Sequence, residues 1–216
     1  MNKLAFMPAM IKSFAEGRFI NRAWGFILRV LAILVVVAGA IRWVPLWSYT
    51  VNYSTGGIIG LVLFQLIFII AIYMVAQVLL IRARDINELP QSDYMVMKIV
   101  SVLLKTIGEI MASSMMAGGF AGGLMIWFVG YNARYILYEM GTIIPLMGRL
   151  INSGIYAENM FVGGLLFLIG GILLALFILL LSYLFSEILL ATADIAINTK
   201  KICAGHSDES ADGHLG

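Results

Sequence analysis

Four polar side chains lie inside or beside long apolar runs of this sequence: Arg29, Gln77, Glu109 and Glu187. Ionisable groups in such surroundings face protein or water rather than lipid, and they are the usual equipment of proton handling and ion transport. The same residues could equally form a structural cluster, an ion pair or hydrogen-bonded knot that ties helix ends together. Each stands near the end of its run, where a long side chain can reach the interface and a charge costs little. Both readings therefore stay open. Arg29 and Glu187 fall at similar depths when counted from their two chain directions, which makes them an expected charge pair. Gln65 lies deeper and is neutral; its expected use is an interhelical hydrogen bond worth about 1 kcal/mol or less.

Other chemistry is sparse. Ser113 and Ser114 have no base at a matching depth, so no nucleophilic site is expected and the chain reads as non-enzymatic. The thirteen methionines do not cluster with His or Cys, which favours adaptable packing over copper ligation. Cys203, His206 and His214 are potential ligands but widely spaced, and residues 203–216 read as a solvated, disordered tail. No metal or other cofactor is expected. The single cysteine excludes an internal disulfide.

The elements that must position these residues follow from composition. The chain is 62% hydrophobic and 12% charged, far from the mix of a soluble domain. Crossing a hydrocarbon core of about 30 Å takes about 20 helical residues. Charge-free runs at 58–81, 110–133 and 160–186 are long enough. A fourth span at 24–43 contains Arg29 and ends at Trp43, with Trp24 and Trp43 as interface anchors. Ala38-Gly39-Ala40 resembles a cleavage site, but a leader reaching that far exceeds the usual range of about 15–30 residues, so the segment reads as an anchor. The expected fold is an all-α integral membrane protein of four transmembrane helices.

Around the spans, residues 1–23 read as a cytoplasmic amphipathic segment, with Phe6, Met10, Phe14 and Phe19 opposed to Lys12, Arg18 and Arg22. A turn at Leu89–Asp93 precedes a second interfacial helix, where Lys98, Ser101, Lys105 and Glu109 share a face. The membrane domain thus covers 24–202. Basic residues orient it. Lys3, Lys12, Arg18, Arg22, Arg29, Arg82, Arg84, Lys98, Lys105, Lys200 and Lys201 fall on one side, against Arg42, Arg134 and Arg149 on the other. The positive-inside rule then puts both termini in the cytoplasm. Basic residues that orient a chain do not argue for nucleic acid, and none is expected as a partner. The expected partners are the bilayer and either other membrane subunits or further copies of the chain.

Residues 59–83 align without a gap on residues 169–193, with identities at Ile59/Ile169, Gly60/Gly170, Leu63/Leu173, Leu66/Leu176, Tyr73/Tyr183, Leu79/Leu189, Leu80/Leu190 and Ala83/Ala193. Two parallel hairpin repeats are the expected arrangement. Gln77 and Glu187 take equivalent places in them. Two small-residue strips supply close packing: Gly118, Gly119, Gly122 and Gly123 in the third span, and Gly163, Gly164, Gly170 and Gly171 in the fourth. They serve contacts within one subunit or between subunits.

The ending Glu187-Ile-Leu-Leu-Ala-Thr-Ala-Asp194-Ile-Ala-Ile-Asn198-Thr199 resembles the closing stretch of small uncharacterised bacterial two-helix membrane domains. There an acidic residue precedes an Asn-containing helix end. The resemblance implies a bacterial origin and brings no activity, cofactor or site with it; with helical spans, the expected location is the bacterial cytoplasmic (inner) membrane. The functional expectation is a non-enzymatic membrane subunit or scaffold within a larger assembly, with a small oligomeric transporter or channel as the alternative. The topology has a direct check. Reporter fusions after Glu88 and at the C-terminus should report cytoplasm, and one near Ser153 the external side; an external C-terminus overturns the four-span reading.

Overall fold

The computed structural model describes residues 18–47, 54–89, 95–133, 137–138 and 159–212. Four long helices follow in order: α1 (Arg18–Leu46), α2 (Thr55–Asn87), α3 (Met95–Val129) and α4 (Met160–Asp212). A 3-10 turn at Gly130–Ala133 closes α3, and no strand occurs among the described residues. Helices are what such runs must form in lipid, because only a helix satisfies every backbone group within its own segment. Local chemistry sets the ends. Ser54 Oγ accepts from the Gly57 N–H at 3.4 Å, and Asn159 Oδ1 accepts from the Phe161 N–H at 2.9 Å. Gly130 ends α3 with φ of 65°, a conformation glycine adopts without a Cβ penalty.

Three helices are long and apolar enough to cross a membrane: α1 over Phe19–Leu46, α2 over Thr55–Asn87 and α4 over Met160–Lys200. Their outward faces are apolar, as at Phe26, Ile33, Ile41, Leu173 and Leu180. A water-soluble monomer rarely exposes so much contiguous apolar surface. The chain reads as a multi-pass helical membrane protein. Helix α3 is also long, but its small residues Ala112, Gly118, Gly119, Gly122 and Gly123 are buried, because α2 covers one side of it and α4 another.

Packing proceeds as α1 on α2, α2 on α3 and α3 on α4, the last being the most extensive. One core, with Leu28, Ala32, Leu79, Ala83, Ile86 and Ile99, joins α1, α2 and α3. The other, with Leu61, Phe64, Met115, Met125, Ile126 and Phe167, joins α2, α3 and α4. The second interfacial helix of the sequence reading continues into α3 without a break. Backbone from 203 to Asp212 forms a continuation of α4. Residues 1–17 of the amphipathic segment, the turn at 90–94, most of the 134–158 loop, and 213–216 with His214 lie outside the described residues. Residues 18–23 begin α1.

The glycine strips meet each other within the chain. A Cβ placed on Gly119 would stand 2.9 Å from the Gly171 Cα, and one on Gly123 would stand 2.9 Å from the Gly164 carbonyl oxygen. Gly122 faces the Phe167 ring, and Gly164 faces the Trp127 indole. Trp127 Nε1 in turn donates to the Phe161 carbonyl at 3.0 Å, and the two rings stack. Gly118 and Gly163 are buried as well, and Gly170 is half-buried. Backbone-to-backbone approach of this kind leaves no flexible side chain to move aside. Replacing Gly119 with Leu should therefore cost about 1–3 kcal/mol or more through overpacking, whatever the oligomeric state. Thermal unfolding in detergent checks this; a Gly119→Leu protein as stable as the parent would show that the helices do not touch there.

Candidate functional site

Antiparallel packing of α2 on α3 brings Arg82, directly after the apolar run 58–81, level with Glu109, directly before the run 110–133. Arg82 Nε donates to Glu109 Oε2 at 2.9 Å, and Arg82 Nη2 donates to Glu109 Oε1. This is the bidentate fork that a guanidinium and a carboxylate favour. The fourth helix joins through Tyr183. Its hydroxyl donates to Glu109 Oε1 and accepts from Arg82 Nη2 at 3.1 Å. Arg82 Nη1 reaches Asp85 Oδ2 at 2.8 Å, one turn along its own helix. Lys105 Nζ sits 5.0 Å above the Tyr183 ring, within cation–π range.

The network is largely withdrawn from solvent: the side chains of Arg82 and Glu109 are 18% and 17% exposed. One α3 carboxylate thus holds one side chain from α2 and one from α4. About two turns away along α3, Ser101 and Ser186 form a second polar link, and both are buried. Ser186 Oγ donates to the Ser101 carbonyl at 3.2 Å, which leaves the Ser101 hydroxyl to donate to Ser186 Oγ. Close approach accompanies these links, since Gly108, next to Glu109, faces Ser182, next to Tyr183.

Of the four polar residues singled out in sequence, only Glu109 takes part. Gln77 is half-buried on α2, while Arg29 on α1 and Glu187 on α4 are exposed. The described residues contain no ion pair between Arg29 and Glu187; α1 packs on α2, whereas α4 packs on α3. Shared depth did not make them neighbours. Gln65 also departs from expectation: it is buried, yet neither atom of its amide has a hydrogen-bond partner. Arg82, Tyr183 and Ser186 are the participants that sequence reasoning did not single out as site residues, whereas Ser101 had been placed on the Glu109 face by its spacing. The signal for Arg82 was present, since a hairpin sets the end of one span opposite the start of the next.

Chemically, this arrangement holds helices. The base and the acid of the network are engaged with each other, and the phenol is engaged with both. Among the described residues no group of three or more His, Cys, Asp or Glu could hold a metal ion. The chain matches no protein-family model, no curated protein and no solved structure.

Breaking a partly buried charge pair leaves the survivor uncompensated, so one partner lost should hurt more than half of both lost. Glu109→Gln should cost about 2 kcal/mol in unfolding free energy, in the range for hydrogen bonds to charged groups. Arg82→Met together with Glu109→Met should cost less than the sum of the two single changes. A double-mutant cycle in detergent or bilayer measures the coupling, and strictly additive losses would sink the pairing.

Proposed function

We propose that this chain is a non-enzymatic membrane subunit or scaffold that packs within a larger membrane assembly. The observation that carries this reading is the fate of the polar groups. Arg82, Glu109 and Tyr183 bind one another, and Ser101 binds Ser186, so these side chains lock helices together and present no reactive group. In this reading α3 is the fourth crossing. Its charge-free stretch from Ile110 onward is long enough, and the glycines that lower its apolarity are covered by α2 and α4. Both termini face the cytoplasm of a bacterial inner membrane, as the basic asymmetry indicates.

The proposal includes two parallel hairpin repeats, α1–α2 and α3–α4. Residues 59–83 lie wholly in α2 and residues 169–193 wholly in α4, which is where such a repeat would put them. The apolar outer faces of the bundle are available to lipid and to other membrane helices alike. A small oligomeric transporter or channel is the second reading, and the unpartnered Gln65 amide favours it. Isolation under mild detergent separates the two. Discrete partner subunits in fixed ratio are the expected result; a pure homo-oligomer with a wetted axis would replace the scaffold reading with transport.

A further inference from the structure

Gln65 is 3% exposed, and neither its Oε1 nor its Nε2 has a hydrogen-bond partner. On the neighbouring helix, the buried Nε1 of Trp43 lacks one too; its ring meets Trp47 edge to face, which supplies no lone pair. Another unpartnered atom, Asn21 Oδ1, belongs to the opposite end of α1. Helices α1 and α2 run antiparallel, with Gly25 against Asn87 and Gly39 against Ile72. One turn beyond Gly39, Trp43 therefore stands at the level of Phe68. Gln65 is less than one turn from that level, an axial offset of about 5 Å. The buried amide of Gln65 and the buried Nε1 of the half-buried Trp43 thus lie at similar levels on adjacent helices, far along α2 from the Arg82 network.

Buried amides and indole N–H groups are costly without partners, and more so where lipid replaces water. The group that would satisfy this pair is defined by what it must supply. Gln65 offers one acceptor and a two-proton donor, and Trp43 offers one donor. A hydroxyl matches that set, since it donates once and accepts twice. A charged ligand does not: the only ionisable residue within a turn of either side chain along its own helix is Arg42, which is exposed. We propose that Gln65 and Trp43 bind a hydroxyl group, carried by water or by a lipid, between α1 and α2. The site does not depend on the scaffold reading.

Magnetic resonance of the full-length protein in bilayers, with 15N-labelled glutamine and tryptophan, tests this. The Gln65 and Trp43 side-chain signals are those lost in Gln65→Leu and Trp43→Phe. Magnetisation is selected on water protons in one experiment and on lipid protons in the other. Transfer to both side chains should be roughly tenfold faster than to the buried backbone amide of Phe64, as for bound water making several hydrogen bonds. Fast transfer from water names water as the source, and fast transfer from lipid names a lipid hydroxyl. Slow transfer from both would overturn the proposal. Melting of Gln65→Leu provides a second reading. A bound hydroxyl predicts a lower midpoint than the parent, whereas relief of an unmet amide would raise it and overturn the site.

Discussion

Contact between the backbones of α3 and α4 sets the register on which the polar links of the bundle depend. Gly119 against Gly171 and Gly123 against Gly164 fix which residues stand opposite one another along the rest of both helices. With that register set, Gly108 meets Ser182, Ser101 meets Ser186, and Tyr183 comes within reach of Glu109. In lipid, apolar side chains gain little by meeting each other, because the acyl chains are equally apolar. Close approach supplies the missing attraction through dispersion, and it also shortens the distance that small polar side chains must bridge. Serines can link two helices only where the axes are near. The glycines are therefore the precondition of the hydrogen bonds.

The Arg82 network adds a different constraint. Glycine contact holds α3 to α4 but says nothing of α2, whose own packing on α3 is less extensive. Glu109 supplies the tie, because one carboxylate accepts from a guanidinium on α2 and a phenol on α4. Such a group is costly to bury alone, and its net contribution to stability is modest even when paired. Its larger effect is on specificity. Any rotation of α2 about its axis would separate Arg82 from both partners at once, so the pairing favours one arrangement over neighbouring ones of similar apolar contact.

Much of this architecture is legible in the sequence for simple reasons. Length and charge-free runs mark the spans, and four glycines in six residues mark close approach. Lys98, Ser101, Lys105 and Glu109 share a face by helical spacing alone, and three of them, Ser101, Lys105 and Glu109, do reach α4. What the sequence hides is the choice of neighbour. Depth along the membrane can be counted, but the direction a residue faces depends on which helices pack together. Arg29 and Glu187 match in depth and still end on helices with different partners. Repeat identity misleads in the same way: Tyr73 is exposed, while its equivalent Tyr183 is half-buried inside the network. A local pattern can be duplicated without its surroundings.

Polar residues within this bundle have met two fates, and the contrast bears on what the protein does. Around Arg82, polar side chains are bonded to one another, and their chemistry is spent on geometry. Toward the other end of α2, the Gln65 amide is buried without a protein partner, although a leucine would fill a comparable place without the cost of desolvation. A purely structural residue would be expected to resemble the first group, since interhelical bonding is what offsets burial of an amide in lipid. An amide that fastens no helices contributes to the fold only by its volume. Its polar atoms are then available to something other than the fold, and that availability distinguishes Gln65 from Glu109.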